Sequence, residues 1–142
     1  MMVRDLDFPG DLHFLVEHQV WARRDGDDFA TVGITALGIR LSGEVYMCRP
    51  KQIGSELEQG RSVAVVELAK SIVSVKSPVR GTVVAVNSLL ERQPELVHTD
   101  PYGSGWIARV RLHDFEADRA ALVHGDAVAA AMDHHAWLNQ VE

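Results

Sequence analysis

The chain of 142 residues contains 46% hydrophobic and 24% charged residues, which is the composition of one ordinary globular domain. Its 14 basic and 20 acidic residues leave a formal net charge of −6, and a negative surface repels nucleic-acid backbones and anionic lipid headgroups. We therefore expect neither a nucleic-acid partner nor a membrane partner.

The hydrophobic runs are short. The longest, 127–132, has six residues, against the ~18 of a membrane-spanning helix. The first residues, MMVRDLDFPG, lack the apolar centre of a signal peptide, so a cytoplasmic location is expected. Cys48 is the single cysteine and cannot form an internal disulfide. Because it lies in the apolar run 45–48, it is predicted to be a buried small side chain.

In chain order, the pattern predicts a leader over 1–12, loose over 4–10, and then a single domain over 13–142. One or two helical turns are expected at 36–41. Short apolar or alternating runs separated by turn residues predict an all-β sandwich or barrel from residue 21 to about 110. The predicted strands are 29–34, 43–48, 62–68, 72–75, 82–86 and 106–112.

The last thirty residues change character from strand to helix. Asp114 can cap a helix that runs to about residue 123, where His124 and Gly125 interrupt it. Asp126 can cap a second helix. Its predicted packing stripe is Val128, Met132, His135 and Leu138. The two helices are expected to cover the open end of the β layer.

One lysine stands between two strongly β-forming runs. The chain has only three lysines, and Lys70 falls at the predicted tip of a hairpin formed by 62–68 and 72–75. The centre of that turn, Ala-Lys-Ser, lacks the Asn-Gly or Asp-Gly that marks a two-residue turn. For an arbitrary lysine, a purely solubilising role is the ordinary interpretation.

The residues around Lys70 resemble a known family. Segments 65–71, VVELAKS, and 77–87, SPVRGTVVAVN, resemble the lipoyl-attachment region of glycine cleavage H proteins, which carry lipoate on the lysine of a Glu-x-x-Lys turn. Lys70 falls on that lysine and Glu67 on that glutamate. Further matching segments, in the same order, are 31–35, 43–45, Gly54, 94–97 and 100–106.

The resemblance implies a mainly β barrel-sandwich hybrid with short C-terminal helices and lipoate bound covalently to Lys70. It also implies a carrier that partner enzymes use as a substrate, with no catalytic residue of its own. Glu67 would help a lipoate attachment enzyme to recognise the turn; the alternative is a solvated charge at a strand end. A hairpin tip suits this chemistry, because the amine must enter another enzyme's active site and a tethered arm gives an effective concentration of ~mM.

Three departures from the family pattern bear on the pathway. The family's His-Glu-Trp tract is replaced by EHQVW at 17–21, its acidic loop by Arg-Pro-Lys at 49–51, and the small residues after its lysine by SIVSVK at 71–76. These segments resemble H-like lipoate-binding proteins of heterodisulfide-reductase-like sulfur oxidation. The sequence therefore predicts that complex as partner, ahead of the glycine cleavage enzymes. An unlipoylated β-sandwich interaction module is the third alternative.

Other candidate sites are weak. His134 and His135 are adjacent on a predicted helix and point about 100° apart, so they are not expected to chelate one metal. The remaining histidines show no ligand spacing, no nucleophile motif is present, and no metal is predicted. Segment 100–106 is expected to form a turn packed by Tyr102 and Trp106, or else to help cradle the arm.

Overall fold

The computed structural model describes residues 1–140. Within them, antiparallel strands form a six-stranded sheet, a three-stranded sheet and a two-stranded ribbon. The strands are β1 (Met2–Val3), β2 (Leu6–Asp7), β3 (His13–Leu15), β4 (Val20–Asp25), β5 (Phe29–Ile34), β6 (Met47–Pro50), β7 (Glu56–Leu57), β8 (Ser62–Glu67), β9 (Ile72–Lys76), β10 (Gly81–Val86) and β11 (Ala108–Leu112).

The helices are short. They are α1 (Ala36–Ser42), α2 (Leu96–Thr99), α3 (Phe115–Asp118) and α4 (Val128–Leu138), with single 3-10 turns at Val16–His18, Ser88–Glu91, Arg119–Ala121 and Gly125–Ala127. The predicted mainly β fold with short C-terminal helices is confirmed. No helix among residues 1–140 is both long and apolar enough to cross a membrane.

The main core lies between the two larger sheets. The six-stranded sheet has the order β3-β4-β5-β11-β10-β7, and the three-stranded sheet has the order β6-β8-β9. Alternate residues of facing strands are buried in one cluster, including Val32 and Val110 from the first sheet and Val66 and Val75 from the second. Cys48 is buried there too, and burial raises the pKa of its thiol to about 12, in agreement with the predicted packing role.

A second apolar cluster packs Trp21 against α4 and the N-terminal segment. Trp21 is opposite Gly33 in the β4–β5 register, and a Cβ at residue 33 would lie 2.6 Å from the indole ring. Only a glycine leaves room for this ring. Phe8 and Met132 are buried in the same cluster.

This packing corrects the prediction of a loose segment at 4–10. The short strands β1 and β2 pair with each other, and both Leu6 in β2 and Phe8 directly after it are buried. Two-residue strands carry no sequence signal for their pairing partner, so this burial is not predictable from local patterns. The domain boundary at residue 13 stays a prediction.

Two other elements differ from expectation. The strand predicted over 43–48 begins only at Met47. Val45 before it is buried, and its backbone N–H donates to the His98 Nε2 atom at 2.9 Å rather than to a neighbouring strand. Asp114 caps α3 as predicted, with its carboxylate accepting from the Ala117 N–H at 3.1 Å. The helix is shorter than predicted, since it ends at Asp118 and only a 3-10 turn, Arg119–Ala121, follows it.

The α4 stripe is shifted from its predicted positions. Asp126 does not cap α4, which is preceded by a 3-10 turn and has no side-chain cap. The buried residues are Val128, Met132 and Ala136, whereas His135 is half-buried and Leu138 is exposed. The stripe therefore follows a spacing of four residues throughout, and Leu138 lies off it.

Candidate functional site

Lys70 lies at the tip of the β8–β9 hairpin, as the sequence predicts. The last strand pair is Glu67 opposite Ile72, and the Leu68 N–H donates to the Ser71 carbonyl at 2.8 Å. Ala69 and Lys70 remain beyond that bond as the two central residues, and both are exposed. Lys70 has no ion pair or side-chain hydrogen bond with any residue from 1 to 140.

The two strands of the hairpin alternate between buried and exposed side chains along most of their length. Val66 and Val75 face the core, whereas Val65 and Ile72 face solvent. Neither central turn residue has a positive φ, which explains how Ala-Lys can stand where a mirror-image turn would favour Asn-Gly. The core thus anchors a narrow protrusion that ends in a free primary amine.

Glu67 lies at the base of the tip and lines a cleft of about 350 Å³. The other residues of this cleft are Met47, Arg49, Val65 and Ile72, and we call it the outer cleft. The Glu67 carboxylate forms no ion pair within the described chain, although Arg49 borders the same cleft. An unpaired carboxylate three residues before the lysine is available to another protein; its recognition role stays a prediction.

A second cleft, the inner cleft, lies on the opposite side of the hairpin. It has a volume of about 360 Å³ and is bordered by Leu68 and Val73 of the hairpin, by Leu41 of α1, and by His18 and His135. The sequence did not predict this site, because its residues come from four separate segments. Gly38 of α1 also borders it, and a Cβ there would lie 3.0 Å from the Gln19 carbonyl oxygen. The close approach of α1 to Gln19 therefore requires a glycine at this position.

Gln19 is a buried polar residue that sequence reasoning also missed. Its side-chain oxygen accepts from the Thr35 hydroxyl at 2.6 Å, and its side-chain nitrogen donates to the Val16 carbonyl at 2.8 Å. The Gln19 backbone has a φ of 53°, in the left-handed region. Segment 17–21, one of the departures from the family pattern, therefore connects the start of β4 to the N-terminus of α1 through the Gln19–Thr35 hydrogen bond.

The segment 100–106 is held as a turn. The Asp100 carboxylate accepts from the Ser104 N–H at 2.7 Å, and the Tyr102 hydroxyl donates to the Asp7 carbonyl at 2.7 Å. Burial also raises the pKa of Tyr102. None of these residues borders the inner or the outer cleft, so the structure favours the packing interpretation over a role in cradling an arm.

The histidines do not form a metal centre. Within residues 1–140 no group of three or more His, Cys, Asp or Glu side chains is placed to hold a metal ion. His134 is exposed and stacks on Trp137, with ring centroids 6.0 Å apart. His13 and His124 stack on each other at 4.0 Å, an arrangement that the sequence did not indicate.

Comparison with known proteins decides the family. Residues 12–135 match the family model described as glycine cleavage H-protein. The chain belongs to this family. Family members are lipoyl carriers, not catalysts, and bear lipoate covalently on a lysine. The geometry of Lys70 fits such a group, because its amine is exposed and unpaired and a partly apolar cleft lies on each side.

Curated relatives carry the same family name. A glycine cleavage system H protein of Mycobacterium avium is 42% identical over 131 residues, covering 92% of this chain and 94% of that protein. A probable glycine cleavage system H protein 2 of Sulfolobus acidocaldarius is 36% identical over 124 residues, covering 86% and 83%.

A solved structure supports the fold. The crystal structure of a glycine cleavage system H protein from Mycobacterium marinum superposes with a TM-score of 0.69 and covers 94% of this chain and 99% of that one. Its sequence identity is 23%, so this likeness concerns the architecture only.

Proposed function

We propose that this protein is the aminomethyl carrier of a glycine cleavage system, with lipoate bound covalently to Lys70. The observation that carries the proposal is the position of Lys70. It is the exposed, unpaired residue at the hairpin tip, and it falls on the family's Glu-x-x-Lys lysine. The curated relatives support the pathway through their names.

The comparisons do not support the sulfur-oxidation branch that the sequence placed first. The departures at 17–21, 49–51 and 71–76 remain, but the matching relatives are named for glycine cleavage, and this favours the alternative. The heterodisulfide-reductase-like complex is therefore withdrawn as a partner. The proposed partners are a lipoate attachment enzyme and the glycine cleavage enzymes, in the cytoplasm.

The contribution of the chain itself is to expose the Lys70 attachment point to partner enzymes. When bound, lipoate supplies a strained disulfide that accepts a group and electrons. The β8–β9 hairpin holds the attachment point away from the core, and the free amine can enter the active site of an attachment enzyme. Glu67, unpaired at the base of the tip, is proposed as a recognition contact for that enzyme.

Two measurements test this proposal. Peptide mass spectrometry of protein from a lipoate-competent host should find lipoate on Lys70, with Lys51 and Lys76 unmodified. The lipoylated protein should then support glycine-dependent carbon dioxide exchange with a purified glycine decarboxylase. Lipoate on another lysine would refute the placement. A fully lipoylated protein that supports no exchange would refute the pathway.

A further inference from the structure

The outer side of the three-stranded sheet brings together two segments that are far apart in sequence. Arg49 of β6 pairs with Val65 of β8, which pairs with Ser74 of β9. The neighbouring row joins Met47, Glu67 and Ile72 in the same way. The segments 49–51 and 72–76, both departures from the family pattern, thus lie on opposite edges of one sheet face.

This face is apolar at its centre. The Ile72 side chain is 67% exposed and that of Val65 is 37% exposed. Together with Met47 they border the outer cleft of about 350 Å³. An open cleft with exposed aliphatic walls can receive an apolar side chain from a partner.

The surroundings of the cleft are basic, in contrast to the rest of the molecule. Apart from Lys70, which the cofactor neutralises, residues 47–76 carry four basic and three acidic side chains, one of which is Glu67 in the cleft itself. The rest of the chain carries nine basic and seventeen acidic ones. Arg49 donates only to the Met47 sulfur at 2.9 Å, and neither it nor Lys51 or Lys76 has a carboxylate within ion-pair distance among residues 1–140. By comparison, Arg80 is bound to Asp118 at 2.8 Å.

These charges matter after the cofactor is attached. Acylation removes the positive charge of Lys70, so any later electrostatic attraction near the tip must come from fixed charges beside it. Arg49 lies on the outer face, and by strand alternation so does Lys76. They remain charged in the lipoylated protein.

We propose that the outer face docks glycine decarboxylase, which loads the aminomethyl group onto the lipoyl arm. The docking surface of that enzyme would be one in which carboxylates surround an inserted apolar side chain. The carboxylates meet Arg49 and its basic neighbours, and the apolar side chain enters the outer cleft. This inference rests on the proposed function and adds the face and the chemistry of its partner. Charge complementarity identifies the occupant, since the rest of this carrier would repel an acidic surface.

The test compares charge reversal at two exposed arginines that form no ion pair within residues 1–140. Fully lipoylated wild type, Arg49→Glu and Arg111→Glu are assayed as carriers in glycine-dependent carbon dioxide exchange with the glycine decarboxylase of the same genome. Arg111 lies on β11 of the six-stranded sheet and is the matched control. A third variant, Ile72→Ser, tests the apolar part of the cleft.

We expect Arg49→Glu to raise the KM for the carrier about tenfold and to weaken its dependence on salt, with kcat nearly unchanged. Ile72→Ser should raise KM several-fold without altering the salt dependence, and Arg111→Glu should stay within about twofold of wild type. Melting curves confirm that the variants are folded. Equal KM values for Arg49→Glu and Arg111→Glu, with an active wild type, would overturn the docking face and leave the proposed function intact. A wild type with no activity would overturn both.

Discussion

The two sides of this molecule differ in what their side chains contact. The Trp21 ring is buried against Gly33 and packs in one cluster with residues of α4. The side-chain oxygen and nitrogen of the neighbouring Gln19 are both hydrogen-bonded. Around Lys70, an amine and a carboxylate have no ion-pair partner among residues 1–140, and aliphatic side chains are exposed. The buried side chains around Trp21 are therefore expected to contribute more to stability than the exposed ones at the hairpin tip. The second side is left free to meet other proteins, so substitutions there should change function with little effect on folding.

The largest effect on stability is expected at Trp21. Trp21→Ala removes a fully buried ring and should lower the free energy of unfolding by about 3–5 kcal/mol. That is a large part of the ~5–15 kcal/mol that stabilises a typical domain. The control is Trp137→Ala, because Trp137 is 65% exposed and its loss should cost at most about 0.5 kcal/mol. Urea unfolding measures both; equal costs would contradict the contrast between the two sides.

A smaller effect is expected at Gln19. Gln19→Leu leaves the buried Thr35 hydroxyl without its acceptor and removes one of the two donors to the Val16 carbonyl, which keeps the Gln19 backbone N–H. The substitution should cost about 1–3 kcal/mol. Gln52→Leu, at an exposed position, is the control and should have almost no effect. The free energies of unfolding again decide. A neutral Gln19→Leu would mean that the hydrogen bonds at 16–35 do not hold α1 in place.

Acid should destabilise the fold through His13. Burial, and then the neighbouring His124, lower the pKa of His13 from its ordinary 6.5 to about 4. Between pH 6.5 and 4 the unfolded chain therefore binds more protons than the folded one, so stability falls as pH falls through this window. Because His13 is partly exposed, the loss by pH 5 should be about 1 kcal/mol.

The pH effect has a direct control. His13→Gln should flatten the difference in urea midpoint between pH 7 and pH 5, whereas His134→Gln, at an exposed site, should leave it as in wild type. If both variants kept the full pH dependence, the sensitive group would lie elsewhere.

The smallest effect on stability, with the largest effect on function, is expected at Lys70. Lys70→Arg should abolish lipoylation and carrier activity, because an arginine offers no primary amine, yet it should shift the melting temperature by no more than a degree or so. Lys76→Arg should keep both modification and stability. Intact-protein mass and thermal melting measure the two variants. A strongly destabilised Lys70→Arg would place the tip within the folding core.

The β8–β9 hairpin, with Lys70 at its tip, was predictable from sequence because alternation and a motif are local signals. The clefts beside the tip were not. The outer cleft needs the register of β6 against β8, which places Arg49 opposite Val65, and the inner cleft needs α1 and α4 beside the hairpin. The burial of Phe8 likewise depends on contacts with residues more than a hundred positions away.

The register of β9 also determines where the lysine points. A slip of one residue against β8 would turn Val75 out to water and press the neighbouring Ser74 and Lys76 into the core. The apolar cost of that exchange keeps the loop at one length and one orientation. The position of the Lys70 amine thus depends on strand residues several positions away from it. A design that moves the amine would have to shift the β8–β9 register by two residues at a time, so that the same side chains stay buried.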